Sequence, residues 1–142
     1  MSTREVPEKS ARHRVLIVDD EESMRLFLAR ILATGLKAEV TLAGTCEQAL
    51  RLAGNYAYDA ILLDLLMPGI GGFEVLNEIR RASANVSTPL VIVSALSDQA
   101  TKDRCMKAGA NAYVVKPVER NGLVAAVKAQ IAGRGKPKPA GK

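Results

Sequence analysis

Four short aliphatic runs punctuate the chain: Val15-Leu16-Ile17-Val18, Ala60-Ile61-Leu62-Leu63, Leu90-Val91-Ile92-Val93 and Tyr113-Val114-Val115. Each is continuous rather than alternating. That is the pattern of a strand covered on both faces in a parallel sheet. Glu39-Val40-Thr41-Leu42, of mixed polarity, supplies a fifth strand. Between the runs the apolar spacing lengthens to that of a helix. Met24, Phe27, Leu28 and Ile31 fall at i, i+3, i+4 and i+7, and Gly35 marks the end of that helix. Cys46, Ala49, Leu50 and Ala53 repeat the spacing, with Thr45 and Gln48 placed as a capping box and Gly54 at the far end. Val75, Leu76 and Ile79 mark a third helix, Gly109 closes a fourth, and Val124, Val127 and Ile131 stripe a fifth. Strand and helix alternate five times. This predicts an α/β fold, a doubly wound five-stranded parallel sheet with five helices on its two faces and right-handed crossovers.

The ends read differently. Residues 1–12 are polar and mixed in charge, with Pro7, and are expected to form a flexible leader; residues 133–142 form a Gly, Pro and Lys-rich tail, expected to be disordered. One domain over residues 13–132 lies between them, and 142 residues leave room for a single core. Aromatics are only 4% and Trp is absent, so that core is aliphatic. No apolar run approaches the ~20 residues of a bilayer span, and the N-terminus lacks the apolar stretch of a secretory signal, so a cytoplasmic protein is expected. Cys46 and Cys105 have no metal-like spacing and read as reduced core thiols. The single histidine, His13, excludes His-rich metal sites and reads as solvated. The net charge of +5 owes most to Arg134, Lys136, Lys138 and Lys142 in the tail. The folded body therefore carries no nucleic-acid signature, and neither nucleic acid nor membrane is an expected partner.

Ligands of a doubly wound sheet bind at the carboxyl ends of its strands. There the first strand ends in Asp19-Asp20, the third in Asp64, the fourth in Ser94 and the fifth in Lys116-Pro117. Singly, an aspartate in such a place is commonly a turn or a helix cap, and Asp19 or Asp20 could cap the first helix. Together, three carboxylates against one amine call for a counterion. Hard oxygen ligands suit Mg²⁺ or Mn²⁺. A cation beside a lysine and a hydroxyl donor is an arrangement for handling a phosphoryl group.

The segments VLIVDDEESMR, LLDLLMPGIGGFEVL, VIVSAL and AYVVKP, in this order and spacing, resemble the receiver domain of two-component response regulators, over residues 14 to about 132. The resemblance implies the flavodoxin-like form of the predicted fold. It also implies that Asp64 is the phosphoacceptor, served by a sensor histidine kinase or a histidine phosphotransfer protein. Asp20 and Asp64 would ligate Mg²⁺ directly with the backbone carbonyl of Leu66, and Asp19 through water. Lys116 would bind the phosphate, Ser94 and Tyr113 would form the switch, and a downstream protein would dock on about residues 97–131. By the same resemblance the Lys116–Pro117 peptide is expected to be cis. With nothing but the tail after Ile131, a single-domain regulator is expected, signalling by protein contact. Three positions depart from the family pattern. Gly71 stands where many relatives carry aspartate, and Leu66 and Leu96 stand where polar side chains are frequent. Leu66 and Leu96 flank the expected path of the hydrolytic water, which implies a long-lived phosphoryl state; the plainer reading is two exposed aliphatics.

Two other functions share part of this pattern. Haloacid-dehalogenase-type phosphatases use aspartate, Ser/Thr, lysine and Mg²⁺, but with a DxD nucleophile on the first strand, where this chain reads DDEE. A receiver-like binding module that is never phosphorylated is the other; contact with nucleic acid through the tail would be weak and steeply salt-dependent, with only about four cations to supply it.

Overall fold

The four aliphatic runs and the mixed segment at residues 39–42 all form strands of one parallel sheet in the order β2-β1-β3-β4-β5. The computed structural model describes residues 12–133. Its elements are β1 (Arg14–Val18), α1 (Glu22–Gly35), β2 (Glu39–Ala43), α2 (Cys46–Asn55), β3 (Ala60–Leu63), α3 (Gly72–Ala82), β4 (Leu90–Ser94), α4 (Gln99–Lys107), β5 (Ala112–Val115) and α5 (Arg120–Ala132). Apart from Arg12 and Gly133, the expected leader and tail lie outside the described residues. Among the described residues no helix is long and apolar enough to cross a membrane.

Alternate residues of the central strands feed two cores, because successive side chains on a strand point to opposite faces. Leu16, Val18, Ile61, Leu63, Leu90 and Ile92 pack with Ala49, Ala53, Val75, Leu76, Ile79 and Cys105 from α2, α3 and α4. Val15, Ile17, Leu62, Val91 and Val93 pack on the other face with Leu28, Ile31, Leu32, Leu123 and Val127 from α1 and α5. β1, β3 and β4 are covered on both faces as expected. β2 and β5 are not: both are edge strands, and Tyr113, Val114 and Val115 are only half-buried. α4 contributes a single buried residue, Cys105. Both cysteines are buried and free.

The helix stripes need correction in detail. On α1 the buried residues are Leu28, Ile31 and Leu32, while Phe27 is 45% exposed. Met24 packs partly buried against the same core as Leu28 and Ile31, so only Phe27 leaves the expected stripe, and Leu32 and Gly35 extend it. Gly35 is the last residue of α1, as expected, and it also packs: a Cβ there would stand 2.6 Å from Val124 Cγ2 of α5. Just beyond the helix, Lys37 adopts a left-handed backbone, with φ +54°. On α5, Leu123 and Val127 are buried, and Val124 and Ile131 only partly so. Gly54 lies inside α2, one residue before its end. The capping box holds in part. Thr45 Oγ1 accepts from the Gln48 amide at 3.1 Å, but Gln48 Oε1 reaches back to the Gly44 amide, 2.9 Å, rather than to Thr45. Gly109, at φ +114°, closes α4 as expected. His13 is half-buried rather than solvated. It lines a cavity of about 540 Å³ with Gly35, Leu36, Lys37, Lys128, Ile131 and Ala132.

Candidate functional site

The residues that carry chemistry sit just past or at the ends of strands and are still tied into the sheet. The Asp19 amide donates to Ala43 O at 3.1 Å, the Asp64 amide to Val18 O at 3.0 Å and the Lys116 amide to Ser94 O at 2.8 Å. The ladder thus fixes where each side chain emerges before any contact between side chains is made. The Lys116–Pro117 peptide is cis.

Asp19 and Asp64 are buried, at 1% and 5% exposure, and Asp20 is exposed. The two buried carboxylates are held alike. Asp19 Oδ1 accepts from the Glu21 amide at 2.9 Å, and Asp64 Oδ1 accepts from the Leu66 amide at 3.1 Å. Their other oxygens share Lys116, whose Nζ lies 2.9 Å from Asp19 Oδ2 and 3.3 Å from Asp64 Oδ2. Neither Asp19 nor Asp20 is the N-cap of α1; that position is Glu21, whose side chain accepts no backbone amide of the first turn. Asp19, Asp20 and Asp64 each offer a carboxylate oxygen, all within 4.8 Å of one another. Three hard donors this close, with one amine between them, fit a divalent cation such as Mg²⁺.

Electrostatics follow from this crowding. Burial pushes the Asp64 carboxyl above its ordinary value; the Leu66 amide and Lys116 pull it down, and Asp19 adds repulsion. For Lys116 burial acts downward, but hydrogen bonding to Asp19 and the charge of Asp64 outweigh it and raise the ammonium. The amine is therefore charged, and the carboxylate it steadies is under strain from desolvation.

Ser94 is fully buried at the end of β4, and its Oγ accepts from the Leu96 amide at 3.3 Å. Tyr113 donates its hydroxyl to Leu96 O at 2.7 Å, with the Lys102 ammonium 5.9 Å from its ring centroid. The segment after Ser94 thus lies between the two expected switch residues. Leu66 is 53% exposed, whereas Leu96 is half-buried against the core. After Asp64 the chain turns through Gly69 and Gly71, at φ +91° and +88°. Gly71 also has ψ 162°, a backbone region essentially restricted to glycine. At Gly72 a Cβ would meet Leu65 Cα at 2.5 Å and Asp64 O at 2.6 Å, so α3 begins pressed against the acceptor segment.

Arg25 was not legible as a site residue, although it ends the first quoted motif. Its Nη1 donates to Asp19 O at 2.7 Å.

The chain matches the model of the response regulator receiver domain over residues 15–128. It is 36% identical over 121 residues to the response regulator ArlR of Staphylococcus saprophyticus, covering 83% of this chain and 52% of that protein. The chain spans about half the length of the curated relatives it matches. Among solved structures it is similar to the receiver domain of sensor histidine kinase PA1611 from Pseudomonas aeruginosa PAO1, which holds a magnesium ion in its active site cleft. The TM-score is 0.78 at 30% identity, over 86% of this chain and 99% of that one. Chemotaxis protein CheY4 of Vibrio cholerae gives a TM-score of 0.79 at 28% identity, over 84% and 99% of the two chains.

Proposed function

This chain belongs to the response regulator receiver family, and we propose that it accepts a phosphoryl group on Asp64 and signals that state through protein contact. The observation that carries the reading is the position of Asp64. It is buried at the end of β3, bonded to Lys116, and within 4.8 Å of the Asp19 and Asp20 carboxylates. An Asp64 oxygen attacks phosphorus as the bond from phosphorus to the donor's imidazole nitrogen breaks, and that nitrogen keeps the electron pair. Asp20, Asp64 and the backbone carbonyl of Leu66 would hold Mg²⁺ or Mn²⁺, with Asp19 reaching it through water. The ion supplies positive charge against the phosphoryl oxygens. Lys116 exchanges its bond to Asp64 for one to a phosphoryl oxygen, and the Ser94 hydroxyl donates to another.

Donation by Ser94 draws the Leu96 segment with it, because Leu96 is bonded to both Ser94 and Tyr113. The Tyr113 side chain and α4 follow, and the surface of about residues 97–131 changes shape for a downstream protein. The phosphoryl donor is a sensor histidine kinase or a histidine phosphotransfer protein, in the cytoplasm. The phosphatase reading has little support. It needs its nucleophile on β1, where Asp19 is held in an ion pair with Lys116.

The test is labelling by radioactive acetyl phosphate in Mg²⁺. Wild type is expected to take up label and Asp64→Asn to take up none while keeping its fold. Full labelling of the variant overturns the assignment; absence of label in wild type, with acetyl phosphate and with kinase, favours the unphosphorylated binding module.

A further inference from the structure

We propose that Arg25 is a positioning residue for the acidic site, a clamp that fixes the Asp19–Asp20 turn against the turn between β2 and α2. This rests on the reading of that site as a Mg²⁺ site.

Arg25 lies in the first turns of α1, where a cation opposes the helix dipole, so its placement needs another reason. The side chain is half-buried, folded back along the helix toward the sheet. Its Nη1 donates to the carbonyl of Asp19, 2.7 Å away, the peptide unit that carries Asp20. The guanidinium occupies the space a side chain would need at position 44: a Cβ on Gly44 would stand 2.7 Å from Arg25 Nη1 and 3.1 Å from Cζ. Gly44 is itself fixed by Gln48, and the neighbouring Ala43 carbonyl accepts from the Asp19 amide. The two peptide units flanking Asp19 are thus both held, the first by the β2 ladder at the Asp19 amide and the second by Arg25 at the Asp19 carbonyl. Asp20, exposed and next in the chain, takes its direction from that peptide.

Charge and position act in opposite senses here, which makes the role measurable. Removing a cation near three carboxylates would by itself tighten binding of a divalent ion. Releasing the Asp19–Asp20 turn loosens it, since partners that orient ligands are typically worth ten- to a hundredfold in metal affinity. Positioning is expected to win.

The experiment is a Mg²⁺ titration by NMR or calorimetry, with thermal stability measured alongside. Arg25→Ala is expected to weaken Mg²⁺ binding about tenfold. Gly44→Ala keeps the charge but displaces the guanidinium, and should weaken binding in the same direction; added to Arg25→Ala it should change little more. Arg25→Lys should recover part of the loss. Arg80→Ala, at the opposite end of the sheet, serves as the control for mere destabilisation: a lower melting temperature with Mg²⁺ affinity within about twofold of wild type. Unchanged or tighter binding in Arg25→Ala overturns the proposal. If wild type binds no Mg²⁺, the site reading fails instead. The metal-free hydrogen-exchange rate of the Glu21 amide, bonded to Asp19 Oδ1, then decides for Arg25: faster exchange in Arg25→Ala supports the clamp, and an unchanged rate overturns it.

Discussion

Lys116 is bonded more closely to Asp19 than to Asp64, 2.9 Å against 3.3 Å. The amine that would serve the phosphoryl group is therefore held in readiness by the neighbouring acid. Its removal leaves three carboxylates facing one another. Lys116→Met should lower the melting temperature in metal-free buffer, yet bind Mg²⁺ more tightly than wild type, because the ion no longer competes with an ammonium. A Mg²⁺ titration that shows weaker binding in the variant would contradict this account.

Asp64 should be a liability to the metal-free fold. Its carboxyl is raised in the folded state, burial being the leading cause. A raised acid favours the fold below its unfolded pKa, and that benefit is lost as pH rises through the folded pKa. At neutral pH the ionised group therefore works against folding. Asp64→Asn should melt above wild type at pH 7 without Mg²⁺, and the gap should shrink toward pH 4. Added Mg²⁺ should raise wild type more than the variant. Scanning calorimetry across pH reads all three, and a variant less stable than wild type at pH 7 would refute the argument.

Arg80 holds the opposite end of the sheet together. Its Nε donates to Gly109 O at 2.9 Å, Nη1 to Asn85 O and Val86 O at 3.1 and 3.0 Å, and Nη2 to Asn111 Oδ1 at 2.9 Å. Asn111 Oδ1 also accepts from the Leu90 amide, and the buried Asn85 side chain bonds Tyr58, Ala53 and Tyr56. Truncation to alanine removes four charge-assisted bonds at once. Arg80→Ala should cost about 3 kcal/mol, read from the urea midpoint. A loss under about 1 kcal/mol would mean that water replaces the guanidinium well.

Position 35 and position 37 should respond oppositely to small changes. Gly35→Ala places a methyl 2.6 Å from Val124 and must push α1 from α5, a loss of about 1–3 kcal/mol. Lys37→Gly relieves a left-handed backbone at φ +54° and should gain about 0.5 kcal/mol after the entropy of glycine is counted. Melting curves of the two variants decide, and the same sign of shift in both would be evidence against it.

The lifetime of the phosphoryl group should depend on Leu66 more than on Leu96. Leu66 is exposed beside Asp64, while Leu96 is turned partly into the core. Leu66→Asn can orient a water and should speed decay of phosphorylated protein several-fold, each factor of ten being about 1.4 kcal/mol of barrier. Leu96→Glu should act in the same direction but also lower stability. Decay of labelled protein in Mg²⁺, with no faster loss in Leu66→Asn, would leave both leucines as plain aliphatics.

Fold class and site were legible for one reason: a buried parallel strand is a continuous aliphatic run, and its chemistry begins where the run stops. Asp19, Asp64, Ser94 and Lys116 all stand at such stops. What was not legible depends on contacts between distant segments. Leu28-Ile31-Leu32-Gly35 and Met24-Phe27-Leu28-Ile31 have identical spacing, and it takes the sheet face and α5 to show that Phe27 turns outward while Leu32 and Gly35 turn in. Gly35 was legible as the end of α1 but not as a packing residue, because its partner, Val124, lies far along the chain. Arg25 bonds a backbone carbonyl and fills a space left by a glycine, and neither partner has a side chain that a pattern could record. Arg80 is hidden in the same way, since most of its acceptors are carbonyls of loops.

α4 meets the core through Cys105 alone. Its further anchors include the Asp98 cap on the Thr101 amide, 3.0 Å, the Arg104 guanidinium 3.7 Å over the Phe73 ring and the Lys102 ammonium 5.9 Å from the Tyr113 ring centroid. A stacked cation of this kind is worth about 0.5–1 kcal/mol where exposed, and a small buried side chain little more than that. If shifting the helix costs about 3 kcal/mol in all, roughly six molecules in a thousand carry it displaced at any moment. On the proposed function, the resting protein would then have a small but finite basal output, and a phosphoryl group would only have to multiply a minority that already exists.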